Sequence, residues 1–282
     1  MTFIGAFAVL FLCGILILVA LRLGDQRADG AEWRRLAALQ PETPQRHSDQ
    51  LIVGLPEPAR RYFSFMIEPG TPLLRVAEIE MSGWFSLGTR DSPSYQLMVA
   101  RQILAAPDGF VWAMRTRGGM AVSGSDSGMW TRFRIFGLIP VVRVGAAPDH
   151  TRSAFGRCVA EAVAWTPAAL LPGPLAIWEA VNDDTARVTV RHGDLSQAVD
   201  VTVDRDGRPV AVSFQRWSNA NPDKVYRLQP FGALLSDFRE VRGYRLPFRV
   251  EAGNLFGTDD YFPFFLADVR TIRFPWAAPG PG

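Results

Sequence analysis

Lysine is nearly missing from this 282-residue chain: Lys224 stands alone and arginine carries the rest of the positive charge. The formal net charge is +2, and the arginines are interleaved with Asp and Glu rather than gathered in a block. That removes the electrostatic case for nucleic acid. Cysteine is as scarce. Cys13 lies in an apolar run and Cys158 far from it, so no intramolecular disulfide is expected and cysteine chemistry is silent on compartment. The three histidines are His47 in a polar stretch, expected to face solvent, His150 at a helix start and His192 in a turn. None stands at metal-ligand spacing from another ligating residue, so no metal and no cofactor is expected. The carboxylate pairs Asp183-Asp184 and Asp259-Asp260 fall in expected turns. Chain order alone argues for no Ser/His/Asp set. The chain is therefore read as non-enzymatic; a histidine and a carboxylate converging in a pocket would reopen the question.

Three near-motifs fail. Gly124-Ser125-Asp126-Ser127-Gly128 has aspartate where a nucleophile elbow needs serine, and it reads as a tight turn. Arg117-Gly118-Gly119 lacks the Lys-Ser/Thr of a phosphate loop. Asp204-x-Asp206-Gly207 lacks the later ligands of a calcium loop.

Charge is also absent from residues 2–21. Twenty helical residues span about 30 Å, one hydrocarbon core. A cleaved signal would want a basic residue before a shorter core and small residues at the cut, and neither is present. An uncleaved single-pass anchor is expected, with the membrane as partner through 2–21. Arg22, Arg27, Arg34 and Arg35 follow the span, which by the positive-inside rule favours the cytoplasm for what comes after. Trp33, Leu36 and Leu39 are helically spaced, which suits either a short helix resting on headgroups or a frayed extension of the anchor.

What is abundant is alternation. Aromatics make up 11% of the chain, with 19 Phe and 8 Trp, which suits strands and a wide apolar interior. In the run D-F-R-E-V-R-G-Y-R-L-P-F-R-V (237–250), Tyr244, Leu246, Phe248 and Val250 fall on one face. It reads as a hairpin whose turn is a type I with Gly243 left-handed, because Arg242 would need positive φ in a two-residue type I′ loop. Pro247 places that strand at an edge, or turns the proline nitrogen outward. Further strands are expected near 73–87, 95–105, 110–116, 129–136, 187–191, 198–204, 210–217, 225–228 and 264–274. One-sided strands of this kind make an antiparallel sheet.

Two helices break the pattern. Residues 55–67 carry Tyr62, Phe65 and Met66 as an apolar stripe. Residues 149–163 carry Phe155, Cys158, Val159 and Ala162, with Asp149 or Thr151 as cap. Arg157 and Glu161 lie four apart on that second helix and can pair. Either the pair is exposed, or the helix plugs the concave face of the sheet and the pair is a polar anchor for a ligand headgroup. In the second case Arg157→Ala should weaken binding of an anionic amphiphile without unfolding the domain. The ligand-binding candidates are Arg157, Glu161, Trp165, Trp112 and Phe155.

The segments L-P-E-P-A-R-R-Y-F (55–63), P-D-G-F-V-W (107–112) and R-C-V-A-E-A-V-A-W-T-P-A-A-L-L-P (157–172) come in this order, followed by the hairpin F-R-E-V-R-G-Y-R-L-P-F. The chain so resembles an uncharacterised bacterial family of membrane-anchored proteins with a LolA/LolB-like fold. That fold is a half-open antiparallel barrel, closed by helices, that shelters acyl chains in lipoprotein carriers. The resemblance implies a mainly β fold with a few α-helices, a curved antiparallel sheet and one N-terminal transmembrane helix. The implied division is an anchor at 1–23, a juxtamembrane linker at 24–54, a β domain at 55–276 and a flexible tail at 277–282. The implied place is the cell membrane, with the domain outside the cytoplasm. The implied function is binding of a lipid or lipoprotein acyl chain in the concave face. A scaffold domain of the envelope without a small ligand is the alternative. The oligomeric state is left open.

Overall fold

The computed structural model describes residues 2–145 and 147–275; the expected tail at 277–282 lies outside them. Thirteen strands form one antiparallel sheet: β1 (Val76–Ser86), β2 (Tyr95–Ala105), β3 (Gly109–Arg117), β4 (Val122–Ser127), β5 (Trp130–Ile135), β6 (Ile139–Gly145), β7 (Ala176–Asn182), β8 (Thr185–His192), β9 (Leu195–Val203), β10 (Pro209–Ser218), β11 (Arg227–Val241), β12 (Tyr244–Asn254) and β13 (Phe262–Arg273). Three α-helices accompany it: α1 (Thr2–Ala37), α2 (Glu57–Met66) and α3 (Pro148–Trp165).

The sheet order is β6-β5-β4-β3-β2-β1-β13-β12-β11-β10-β9-β8-β7. The chain meanders outward to one edge, returns through α3 to the opposite edge, and meanders inward until the last strand pairs with the first. The sheet is open, with β6 and β7 as its edges, so it is not a closed barrel.

Its curvature follows from α3. Gly156 faces Gln197 on β9 and Phe214 on β10, while its neighbour Arg157 bonds Asp126 on β4. In the sheet β4 and β9 are eight steps apart, about 38 Å at ~4.8 Å per step. A helix is only about 10–12 Å across, so a flat sheet could not touch both of its flanks. The alternating apolar faces therefore wrap around α3: Val199, Val201 and Val203 of β9 and Tyr244, Leu246, Phe248 and Val250 of β12 are all buried. At one rim α2 fills the end of the hollow, with Tyr62 and Phe63 packed on Trp178 and the Tyr62 hydroxyl donating to Val163 O at 2.8 Å.

The convex face is covered by the C-terminal half of α1. The expected linker at 24–54 is helical as far as Ala37, and the helix is a packed extension of the apolar run, neither frayed nor lying free. Leu36 is buried against Val76, Ile103, Ala105 and Val111. Trp33 Nε1 donates to Glu78 Oε1 at 2.7 Å, Ser125 Oγ to Asp29 Oδ1 at 2.8 Å, and Asp25 gathers Arg132, Arg134 and Arg143. His47 is buried rather than solvent-facing, because a backbone exchange with Thr71 and Gly70 pins its segment to the domain.

Several local readings are corrected. The 124–128 segment is mostly strand: β4 pairs with β3 through Ser127 and with β5 through Asp126, which puts Asp126 in the sheet rather than in a tight turn. The β11–β12 connection is the two-residue loop Arg242-Gly243, with φ 56° and 83° and Val241 paired to Tyr244. This tighter loop matches the strand twist, and Gly243 O takes bonds from Glu68 N and Thr71 Oγ1. Strand β12 is interior, and its pairing with β13 begins only at Arg249, beyond Pro247. Helix α3 has Ala147 at its cap position, without a side-chain cap; Asp149 instead accepts from Trp217 Nε1 at 2.8 Å.

Candidate ligand cavity on the concave face

Curling a sheet around one helix leaves space beside the helix unless side chains fill it. Here they do not. A half-enclosed cavity of about 240 Å³ lies between α3 and strands β1, β3–β5 and β10–β13. Its walls are apolar: Phe85, Phe133, Phe214, Phe231, Phe264 and Phe265 contribute, with Val212, Leu235 and Val250 behind them. The phenyl rings meet mostly edge to face, Phe85 with Phe264 at 5.8 Å and Phe231 with Phe264 at 6.1 Å.

The polar part of the wall is one connected group. Arg157 Nη1 donates to Asp126 Oδ2 at 2.7 Å and its Nε to Glu161 Oε1 at 2.6 Å. Its guanidinium lies over the Phe110 ring at 4.5 Å. Gln102 donates to the other Glu161 oxygen, and Thr131 Oγ1 to Asp126 Oδ1. Burial acts to raise the Asp126 pKa, but His150, the Arg157 charge and the Thr131 hydroxyl more than offset it and hold the carboxyl below its usual range. Burial likewise disfavours the Arg157 cation, and its two carboxylates reverse the balance.

Arg216, on β10, differs. Its Nε is buried without a hydrogen-bond partner, and no carboxylate of the described residues lies within ion-pairing distance of it. Burial first, then the like charge of Arg157, lowers its pKa to about 10. It is still a cation at neutral pH, stacked 5.0 Å from the Phe231 ring. Trp112 Nε1 is a second buried donor in this wall without an acceptor. Both nitrogens are closed off from the cavity; what Arg216 turns toward it is a cation, and an anionic oxygen is the complementary partner of that charge.

Of the five residues expected at a site, Arg157, Glu161, Trp165 and Trp112 line this one cavity. Phe155 is buried but is not part of the lining. Asp126 and Arg216 were not among the sequence candidates. For Arg216 a signal existed: it shares the parity of Val212 and Phe214, so an arginine falls on the inward face of an apolar strand.

His150 and a carboxylate do meet, Nε2 standing 3.8 Å from Asp126 Oδ1. The arrangement lacks the order of a triad. Thr131 Oγ1 touches both groups, at 3.0 Å from His150 Nε2, and His150 Nδ1 is buried without a partner. Asp126 is held by Arg157. The nearby Cys158 thiol is buried and pushed up in pKa, first by burial and then by Glu161, so it carries no thiolate.

Fold and site define a class: an open antiparallel sheet curled around a crossing helix, with one apolar, arginine-bearing hollow beside it. The chain belongs to the family of unknown function DUF6544, whose model matches residues 45–266. Among solved structures it is similar to a LolA superfamily protein of Nitrosomonas europaea, at 11% identity and TM-score 0.41 over 77% of this chain and 91% of that one. It is also similar to a putative outer membrane lipoprotein-sorting protein domain of Vibrio parahaemolyticus, at 11% identity and TM-score 0.36, covering 72% and 87%. A DUF1329 family protein of Desulfovibrio piger matches at 10% identity and TM-score 0.40, covering 73% and 88%. No curated protein matches the chain.

Proposed function

We propose that this is a membrane-anchored, non-enzymatic domain whose concave cavity binds a lipid or other acyl-bearing molecule, with the tail among the phenylalanines and an anionic oxygen head toward Arg216. The observation that carries the reading is the pairing of an apolar cavity with a cation in its wall, Arg216, that forms no ion pair among the described residues. At roughly 30 Å³ per water-sized group, about 240 Å³ admits on the order of eight carbon-sized groups, enough for a short acyl chain or one end of a longer one. Cavities with mostly apolar walls and a few placed polar groups are the usual form of small-ligand sites.

Native mass spectrometry of the full chain released from detergent should retain one acyl-bearing molecule. Titration with a polyene fatty acid should draw energy transfer from Trp112 and Trp165. Protein that carries no such mass and gives no transfer would sink the reading. The alternative, an interaction or scaffold domain without a small ligand, draws support from β6, an edge strand exposed along its whole length. A stoichiometric protein partner together with an empty cavity would favour it.

Helix α1 is the one helix among the described residues long and apolar enough to cross a membrane. We place the domain outside the cytoplasm, on the resemblance and against the arginines that follow the span. A phosphatase reporter fused after Gly282 should be active only on the outer side. Activity of a cytoplasm-only reporter at the same point would reverse the assignment.

A further inference from the structure

The apolar run of α1 is not covered by the rest of the chain, and its first charged residue, Arg22, does something specific. Arg22 Nη1 donates to Gly137 O at 2.9 Å, and Gly137 lies at the tip of the β5–β6 hairpin. Further along the helix, Asp25 holds Arg134 and Arg143, Asp29 holds Ser125 and Trp33 holds Glu78. Strand β5 thus runs beside the helix with its tip toward the uncharged end. Because Arg22 directly follows the run, the tip stands level with the C-terminal end of the membrane-length run.

That tip is greasy. Phe136 is 69% exposed and Ile139 48%. Phe136 has φ 50°, a left-handed position that a bulky residue occupies only at a cost and that Asn or Gly would fill more cheaply. Phe136 N donates to Ala121 O at 2.8 Å, which sets the neighbouring turn, with Met120 51% exposed, alongside. Between α1 and the convex face is a groove of about 490 Å³ whose lining includes Arg22, Arg101, Arg115, Arg117 and Arg270. Only Asp25, Asp29 and Glu80 oppose them there. Exposed apolar side chains beside an excess of arginine are what an anionic bilayer surface attracts.

The sheet register extends this rim to the cavity. The end of β1 pairs with the start of β2 and of β13, and the start of β11 with the ends of β10 and β12. Phe85, Phe264, Phe231 and Arg216 therefore lie toward the same rim as Phe136, and α2 occupies the opposite one, where Arg61 reaches Asp183 and Asp204.

We infer that this rim is a bilayer-contacting face. Phe136, Ile139 and Met120 enter the interfacial layer of the membrane that α1 crosses, the groove arginines meet anionic headgroups, and the end of the cavity not filled by α2 is set against the leaflet that supplies its ligand. This rests on α1 spanning the membrane, and the test reads the two separately.

The full chain is placed in vesicles of phosphatidylcholine and phosphatidylglycerol, with an environment-sensitive dye on one cysteine at a time and nitroxide-bearing lipids as quenchers. Cys158 is buried and stays unlabelled. Native Cys13 reports the span; Phe136→Cys and, at the far rim, Glu240→Cys are read in a Cys13→Ser background. Cys13 should be quenched by deep nitroxides. The label at 136 should be quenched several-fold more by shallow nitroxides than the label at 240. A quenched Cys13 with equal signals at 136 and 240 overturns the rim while leaving the anchor. An unquenched Cys13 removes the anchor and this inference with it. A blue-shifted label at 136 that lipid nitroxides do not quench means that the β6 edge meets a second copy, and also overturns it.

Discussion

Arg157→Ala should destabilise the domain by about 3 kcal/mol, the lower end of the range for breaking a buried ion pair. The guanidinium bridges two carboxylates, Asp126 and Glu161, and alanine leaves both in an apolar wall without their cation. The loss of its stacking over Phe110 and Trp112 adds to this by up to about 1 kcal/mol. The sequence reading expected the same substitution to spare the fold; the second carboxylate, from β4, is what changes the expectation. The sign with pH is defined. Asp126 has a lowered pKa in the folded protein, so its contribution is present above the ordinary carboxylate value and lost as pH falls through the folded value. The gap between wild type and variant should therefore be widest near neutral pH and narrow on acidification. Guanidinium denaturation followed by tryptophan fluorescence measures it. Adding Asp126→Asn and Glu161→Gln to the variant should recover most of the loss. A variant as stable as wild type at pH 7 would remove the bridge from the account.

Arg216→Leu should act in the opposite direction on stability and strongly on binding. The guanidinium is a largely buried cation outside any ion pair of the described residues, and burial and the Arg157 charge outweigh its attraction to Asp126 and Glu161, so replacing it with an apolar side chain should raise the stability of the empty domain by about 1 kcal/mol, the usual size of a single stabilising substitution. A hydrogen bond to a charged group contributes about 1.5–3 kcal/mol. Affinity for decanoate should accordingly fall about ten- to a hundredfold, while decanol, without the negative charge, should be nearly unaffected. Arg216→Lys should retain part of the preference. Isothermal titration with both ligands separates the effects. Equal losses for acid and alcohol would mean that leucine merely reshaped the cavity, and the headgroup assignment would fail.

These two arginines show where legibility ended. Arg157 was visible because its partner Glu161 sits one helical turn away on the same stretch of sequence. Asp126 was missed because Gly124 and Gly128 make its segment read as a turn; only pairing with β3 and β5 shows it to be a strand. Arg216 was legible in principle by parity, yet a charged residue near a strand end ordinarily snorkels to water. Its burial depends on α3 and Arg157, which come from elsewhere in the chain. Phe155 carries the converse lesson. Membership of an apolar helical stripe placed it in the core, but whether a stripe residue faces packing or open space depends on what stands opposite.

Strands β6 and β7 went unnoticed for a related reason. Both are edge strands, and an edge has no second neighbour to impose a sharp inside and outside. The long β11 was divided in sequence because Pro230, Gly232 and Asp237 interrupt its alternation, whereas the ladder with β10 and β12 carries it through.

The sequence by itself determined the apolar run of α1, the period-two strands, the two internal helices and hence a mainly β, antiparallel protein. These are properties of neighbours along the chain, and the hydrophobic period reports them directly. The tertiary structure alone decided that the sheet stays open, that α1 continues past the apolar run to brace the convex face, and that Arg216 ends beside phenylalanines in the cavity wall. Those features depend on strands up to eight places apart being drawn around one helix, and side chains that meet across such a distance leave no period in the sequence.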